Sequence, residues 1–539
     1  MVRALGVIGF LTAALLALGA CSSSSPPPPV ATLADAGFRP GSNGFAFQNY
    51  GNALASGATP TNLTAADLQA MFGNAVCADA GSGRCDLIPE AQAWLASTNQ
   101  AMGGGHCYGF SVLAQLIWEG KVKVSALGAS SISGLSIDNN QTLQRQIAYE
   151  WALQLVSTIQ ASEINGSPNQ ILAKLRKSLK PHPAETYTIA IFKPDFTAGH
   201  AVTPYAVKNE GGGKWNVLIY DNNWPGATRA ISFDTKADTW SYSAAINPSE
   251  PDALYTGNAK TETISLFPTS PGVGKQPCPF CGKEPKTVPA SGSVVAGKTE
   301  EIALTGGDTA HANLLITDQH GHHLGYLNGK LVDQIHGARE DHVISADWSD
   351  NIEPVFFVPA SGTYTVTIDG TALTGPDTET LRIIGPSWDL SVDDIPVRPG
   401  DKDTLVAATD ATKLSYTSSR AESPTLELGV SDTRADYAFT VSGVSDQPGS
   451  TINLSLPTEG GALTMDNVGS AGTSTVAIKM TRETEQGVHV FAHDAIPLVG
   501  GETAQLQFGN WKNAGEGIPL VTTHNGRQSI DMLSDQGTG

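Results

Sequence analysis

Apolar and polar positions change their spacing twice along these 539 residues. From about Phe45 to Leu179 the apolar residues recur at helical intervals between Gly-rich breaks. Thr64-Ala65-Ala66-Asp67 reads as the cap of a run through Leu68 and Met71, and Ile88–Leu95 reads as a second helix. After Gly103-Gly104-Gly105 a third begins at Cys107, with Phe110, Leu113, Leu116 and Ile117 on its apolar side. Thr142–Ile159 is a long segment with Ile147, Trp151, Leu155 and Ile159 in one stripe, and Pro168–Leu179 is a further helix. At Thr186 the period shortens to two. Thr186–Phe192, His200–Val207 and Trp215–Tyr220 read as strands, the last two joined by a turn over Glu210–Lys214. Helices first and an antiparallel sheet second define an α+β head.

Beyond Pro285 turn residues recur every eight to twelve positions between short alternating runs such as Gly362–Ile368 and Thr475–Met480, the pattern of all-β sandwiches. The expected division is a head over 45–285, a β-sandwich over 286–385 and a second β-rich unit over 386–539, with no fixed-period repeat.

The first 20 residues hold one Arg, an apolar run too short to span a bilayer comfortably and then small residues, as a secretion signal does. Leu18-Gly19-Ala20-Cys21 resembles the lipobox of bacterial lipoproteins, which implies a lipid on Cys21 and a chain anchored in the cell envelope rather than spanning it; an ordinary cleaved signal is the alternative. Ser22–Ser25 and Pro26–Pro29 open a low-complexity tether expected over 21–44.

With 32 basic against 52 acidic residues the net charge is −20, which argues against a nucleic-acid partner. Of six cysteines, Cys77 with Cys85 and Cys278 with Cys281 are spaced for local disulfides in an oxidising compartment. The CxxC at Cys278 lies among prolines, so a structural clip is preferred over a redox pair or a zinc site built from both pairs. Cys107 is then left alone. At a helix N-terminus it faces unpaired N–H groups and the positive end of the dipole, a setting that favours the thiolate; a small thiol buried under a Gly turn is the structural alternative.

A nucleophilic cysteine needs a base and a group that orients the base. His200 starts one strand and Asp221 ends the next, so pairing through Gly211–Gly213 brings both to one edge of the sheet. Asp221, Asn222 and Asn223 each offer an orienting group; alternation lets only one of Asp221 and Asn222 face His200, and Asp221 is preferred. His106 adjoins Cys107 but points elsewhere on a helix, so it is read as a supporting or exposed residue.

A cysteine opening a helix after a Gly turn, a His at a strand start and an Asp or Asn on the next strand resembles the papain-like cysteine peptidases over roughly Phe45–Phe267. The phrases GGHCYGFS and GHAVTPYAV…YDNNWPG also resemble motifs of bacterial exported proteins. The resemblance implies Cys107 as nucleophile, His200 as base and then acid, Asp221 or Asn222 as orienter, and Gln100 with the Cys107 N–H as oxyanion donors. The tryptophan that commonly follows the nucleophile is here Gly109-Phe110. The implied function is a surface-anchored hydrolase of peptide or isopeptide bonds, with peptide, protein or cell-wall polymer as substrate and no cofactor. A transglutaminase-type transferase and a non-catalytic adhesin or binding lipoprotein are the alternatives. His320-Gly321-His322-His323 is read as a polar turn rather than a metal site, and Asp333, His336 and Asp341 as loop polars. Tyr326, Trp348, Trp388 and Trp511 are read as core residues before a sugar platform.

Overall fold

The computed structural model describes residues 32–78, 84–194, 196, 198–244, 253–282, 299–307, 311–345, 353–408, 413–431, 435–456, 461–484 and 487–537. Among them the chain is mostly antiparallel sheet, with its helices in the N-terminal half. The signal and Cys21 lie outside the described residues. The body of the head, expected from residue 45, begins at β1 (Thr32–Asp35), which pairs with a later strand of the head; Phe38 behind it is buried. The tether therefore does not extend to residue 44.

After β1 come α1 (Pro40–Asn43), α2 (Ala65–Phe72), α3 (Pro89–Ala101), α4 (Cys107–Trp118), α5 (Gln141–Ala152), α6 (Ser157–Gln160), β2 (Ile164–Asn165) and α7 (Pro168–Ser178). Thr64 and Asp67 close a capping box on α2. The long segment expected over Thr142–Ile159 breaks: α5 ends at Ala152, Leu153–Leu155 tightens into a 3₁₀ turn, and α6 follows. Ile147, Trp151, Leu155 and Ile159 stay buried through the break, so the stripe survives while the helix does not.

The head sheet is β3 (Tyr187–Phe192), β4 (Gly199–Gly211), β5 (Lys214–Tyr220), β6 (Arg229–Asp234), β7 (Thr239–Ala244), β8 (Ala253–Asn258) and β9 (Ile264–Pro268), in the order β2-β9-β3-β4-β5-β6-β7-β8 with β1 against β4. The β4–β5 turn needs three successive left-handed residues, and Gly211, Gly212 and Gly213 supply them at φ +83°, +64° and +96°. α4 packs across β4 and α5. It meets α5 at Gly109, where a Cβ would stand 2.1 Å from the Ile147 carbonyl oxygen. Glycine at 109 is thus a packing requirement.

The β-rich half differs from its expected division. β10 (Thr299–Thr305), β11 (Asn313–Asp318), β12 (His323–Leu327), β13 (Lys330–Asp333), β14 (Arg339–Asp341), β15 (Val355–Pro359) and β16 (Tyr364–Asp369) divide between two sheets, and every later hairpin extends one or the other. Hairpins over 377–397, 425–442 and 473–499 continue the sheet of β10, and hairpins over 402–417 and 451–468 with a three-stranded meander over 503–533 continue the sheet of β11. The expected boundary at 385/386 falls inside a hairpin, where Gly385 pairs with Trp388 and Ser387 takes the turn at φ +72°. One core runs from Ile302 to Leu533, so the described residues form one long sandwich and not two. The hairpins of the first sheet start at 377, 425 and 473, a spacing of 48 residues.

The head and sandwich share a core: Val343, Ile344, Val355, Phe357 and Ile384 pack with the head's Trp151 and Leu153 cluster. α3 lies on the sandwich, with Pro89 so close to Gly429 that a Cβ there would stand 2.4 Å away. Ser431 donates to Glu90 across the joint at 2.8 Å.

Candidate active site

Cys107 is the first residue of α4, reached from the Gly103–Gly105 turn, in which Gly105 takes φ +122°. His200 is the second residue of β4, and Asp221 follows the end of β5, with Thr203 paired to Tyr220 just inside them. The fold brings all three together. His200 Nε2 donates to Asp221 Oδ1 at 2.9 Å. The other ring nitrogen, Nδ1, is buried without a hydrogen-bond partner among the described residues, and the Cys107 side chain is close enough to help raise the ring's pKa. The sulfur in turn accepts the Ala201 N–H at 3.3 Å.

Asp221 and Asn222 divide the work that either could have done. Asp221 takes the ring, the Asn223 N–H at 2.9 Å and the Tyr242 hydroxyl, so three donors fix its carboxylate. Asn222 points away from the ring and donates to the Cys107 carbonyl at 3.1 Å, Ser111 Oγ at 3.3 Å and the Ala201 carbonyl at 2.9 Å, which pins the start of α4 to β4. Burial would lower the His200 pKa, but the charge and hydrogen bond of Asp221, with the Cys107 contact, outweigh it and raise it to about 10. Burial likewise opposes ionisation of Asp221, and the imidazolium and its other donors hold its pKa below the ordinary value. The arrangement suits nucleophile, proton carrier and orienter.

No family model matches the chain, and no curated protein or solved structure matches it.

Two features at the site escape a reading of sequence. Tyr242, on β7, holds the far oxygen of Asp221. Gln154, in the 3₁₀ turn after α5, accepts the Ile344 N–H at 2.7 Å and donates to the Ile344 carbonyl at 3.3 Å. That same carbonyl oxygen lies 3.6 Å from the Cys107 sulfur. With the sandwich residue Ile344 over it the site is enclosed: Cys107 and His200 are 0 % exposed and Asp221 is 1 % exposed.

Gln100 does not join them. It lies exposed on the last turn of α3, and no hydrogen bond among the described residues links it to Cys107, His200 or Asp221. The 3₁₀ turn at Met102–Gly104 and the Gly105 bend separate its direction from that of the cysteine. His106 is fully buried rather than exposed. Its Nδ1 donates to the Tyr50 carbonyl at 2.8 Å, its Nε2 lies 3.0 Å from Asn62 Oδ1, and burial lowers its pKa to about 4.

Cys77–Cys85 and Cys278–Cys281 are disulfides, which fits an oxidising, exported location. Cys107 is the one free cysteine among the described residues. None of their helices is long and apolar enough to cross a membrane. The turn after β11 is held by Asp318, which accepts the His320 and His322 N–H groups, and no group of residues among those described is arranged to hold a metal. Asp333 and Asp341 are strand residues, not loop polars. Trp388 and Trp511 are buried, Tyr326 is half-buried, and Trp348 lies outside the described residues.

Proposed function

We propose that the head is a papain-like thiol hydrolase of peptide or isopeptide bonds, with Cys107 as nucleophile, His200 as proton carrier and Asp221 as orienter. The observation that carries this reading is the buried His200–Asp221 hydrogen bond of 2.9 Å, with the sulfur at the head of α4 bonded to the N–H of Ala201, the next residue after the histidine. His200, held as an imidazolium by Asp221, carries the proton that Cys107 gives up, and the sulfur attacks the carbonyl carbon. The Cys107 backbone N–H, in the first turn of α4, supports the oxyanion. His200 then protonates the departing amine as the C–N bond breaks, leaving a thioester. Water, giving its proton to His200, releases the acid; an amine in its place would make the same site a transferase. Export through the N-terminal signal with a lipid on Cys21 would set this chemistry in the cell envelope.

A second reading, a non-catalytic binding lipoprotein, is favoured by the enclosure of all three residues. The test is turnover of peptide and isopeptide substrates by the full chain opened by Ile344→Asp. Cys107→Ser or His200→Ala in that background should reduce the rate at least about 10³-fold. Equal turnover in the Cys107→Ser form overturns the hydrolase, and absence of turnover from an opened, folded chain favours the binder.

A further inference from the structure

Ile344 stands 237 residues beyond Cys107 in sequence, yet its backbone is held at the sulfur by a single side chain. One amide end of Gln154 takes the Ile344 N–H and the other serves the Ile344 carbonyl. A primary amide used this way offers what an adjacent β-strand offers, a donor and an acceptor for the same residue, and it does so whatever side chain that residue carries. Gln154 is held in position: its amide also donates to the Trp151 carbonyl at 3.1 Å, within the turn that interrupts the α5–α6 segment.

The flanking residues are anchored as well. Arg339 donates to Gln160 at 2.6 Å, and Gln160 donates to Asp341. The His342 ring stacks on Phe196 with centroids 4.7 Å apart. Val343, Ile344 and Ser345 are buried. The sulfur meets the oxygen of the Ile344 carbonyl as a hydrogen-bond donor, the contact of a bound peptide and not of an attack on its carbon.

We propose that residues 341–345 occupy the head's own peptide groove in cis, and that Gln154 is the positioning residue that reads a peptide backbone there. The ligand class follows from the occupant: an extended peptide with branched aliphatic side chains at the places of Val343 and Ile344, admitted only when the sandwich segment leaves. The identity of this ligand as a substrate rests on the hydrolase reading above; its binding does not.

The experiment reads access rather than turnover. Cys107 in the full chain is alkylated with iodoacetamide near neutral pH and followed by peptide mapping, with acetyl-His-Val-Ile-Ser-amide as the competing peptide. Ile344→Asp should speed alkylation at least about tenfold over the native chain, because local opening no longer limits it. Millimolar peptide should slow the opened chain again, and Gln154→Leu in the same background should remove most of that protection. A native chain alkylated as fast as the Ile344→Asp form overturns self-occupancy. A peptide that does not protect, or protects equally without Gln154, overturns the backbone reader. Should Ile344→Asp unfold the head, hydrogen exchange of native and Gln154→Leu chains decides: the Ile344 amide should exchange at least about tenfold faster in the variant, and an unchanged rate overturns the assignment. An opened chain that alkylates quickly, binds the peptide and turns nothing over leaves this inference standing and removes the hydrolase.

Discussion

Two histidines flank the same cysteine, both fully buried, and their surroundings drive them to opposite states. His106 meets a backbone carbonyl and an amide, partners that carry no charge, and burial lowers its pKa to about 4. His200 is equally buried but faces Asp221, and is raised to about 10. Burial supplies the same sign in both; one carboxylate reverses the outcome. Adjacency to the cysteine in sequence therefore says little about which ring exchanges protons with it. His106 serves the fold, tying the start of α4 to the Tyr50 and Asn62 segments.

The sharpest way to break this contrast is Asp221→Asn. Without the charge His200 should lose its raised pKa and behave like His106, neutral near pH 7 in NMR of the ring nitrogens. Turnover in the opened chain should fall about 10³-fold, equivalent to about 4 kcal/mol. A ring still protonated at pH 8 in this variant would assign the shift to something other than the carboxylate. Next in size is Gly109→Ala, which sharpens the point that α4 is held by backbone contact. With a Cβ directed at the Ile147 carbonyl, α4 and α5 must separate, and urea unfolding of the head should lose about 3 kcal/mol.

The smallest effect is in the stability–pH profile. His106, lowered from 6.5 to about 4, contributes stability that is present above 6.5 and lost as pH falls through 4. His200 and Glu90 act on the other limb. Glu90, buried at the joint near Ser431, Asp389 and Asp436, is raised to about 8, mainly by desolvation. Its contribution is complete below 4.5 and lost as pH climbs through 8, and that of His200 is lost between 6.5 and about 10. His106→Gln should therefore flatten the acid limb and Glu90→Gln the alkaline limb, each by about 1 kcal/mol in denaturant titrations. An acid limb unchanged in His106→Gln would contradict the burial argument.

What the sequence disclosed of the site was its local part. A Gly turn before a helix, and two strands joined by three glycines, fix Cys107, His200 and Asp221 through short-range geometry, and those residues could be read directly. Gln100 illustrates the limit: seven positions before the cysteine, it is an oxyanion donor only by family resemblance, and a 3₁₀ turn and a left-handed glycine redirect the chain between them. Gln154 was hidden because the apolar stripe runs unbroken through Leu155 and Ile159, so periodicity gave no sign of the turn that buries an amide among them. Tyr242 and Ile344 reach the site across sheet order and the head–sandwich joint, contacts that no local pattern encodes. In the β-rich half Pro386 reads as the start of a second unit but forms a hairpin corner. The 48-residue spacing went unread because it resides in which sheet each hairpin joins, not in repeated residues.

That alternation of hairpins between two sheets has a consequence for growth. Each unit adds strands to both layers at one end, and the units that start at 377 and 425 also touch α3, so copying or deleting the unit that starts at 473 would change the length of the sandwich while leaving the head and its Ile344 contact untouched.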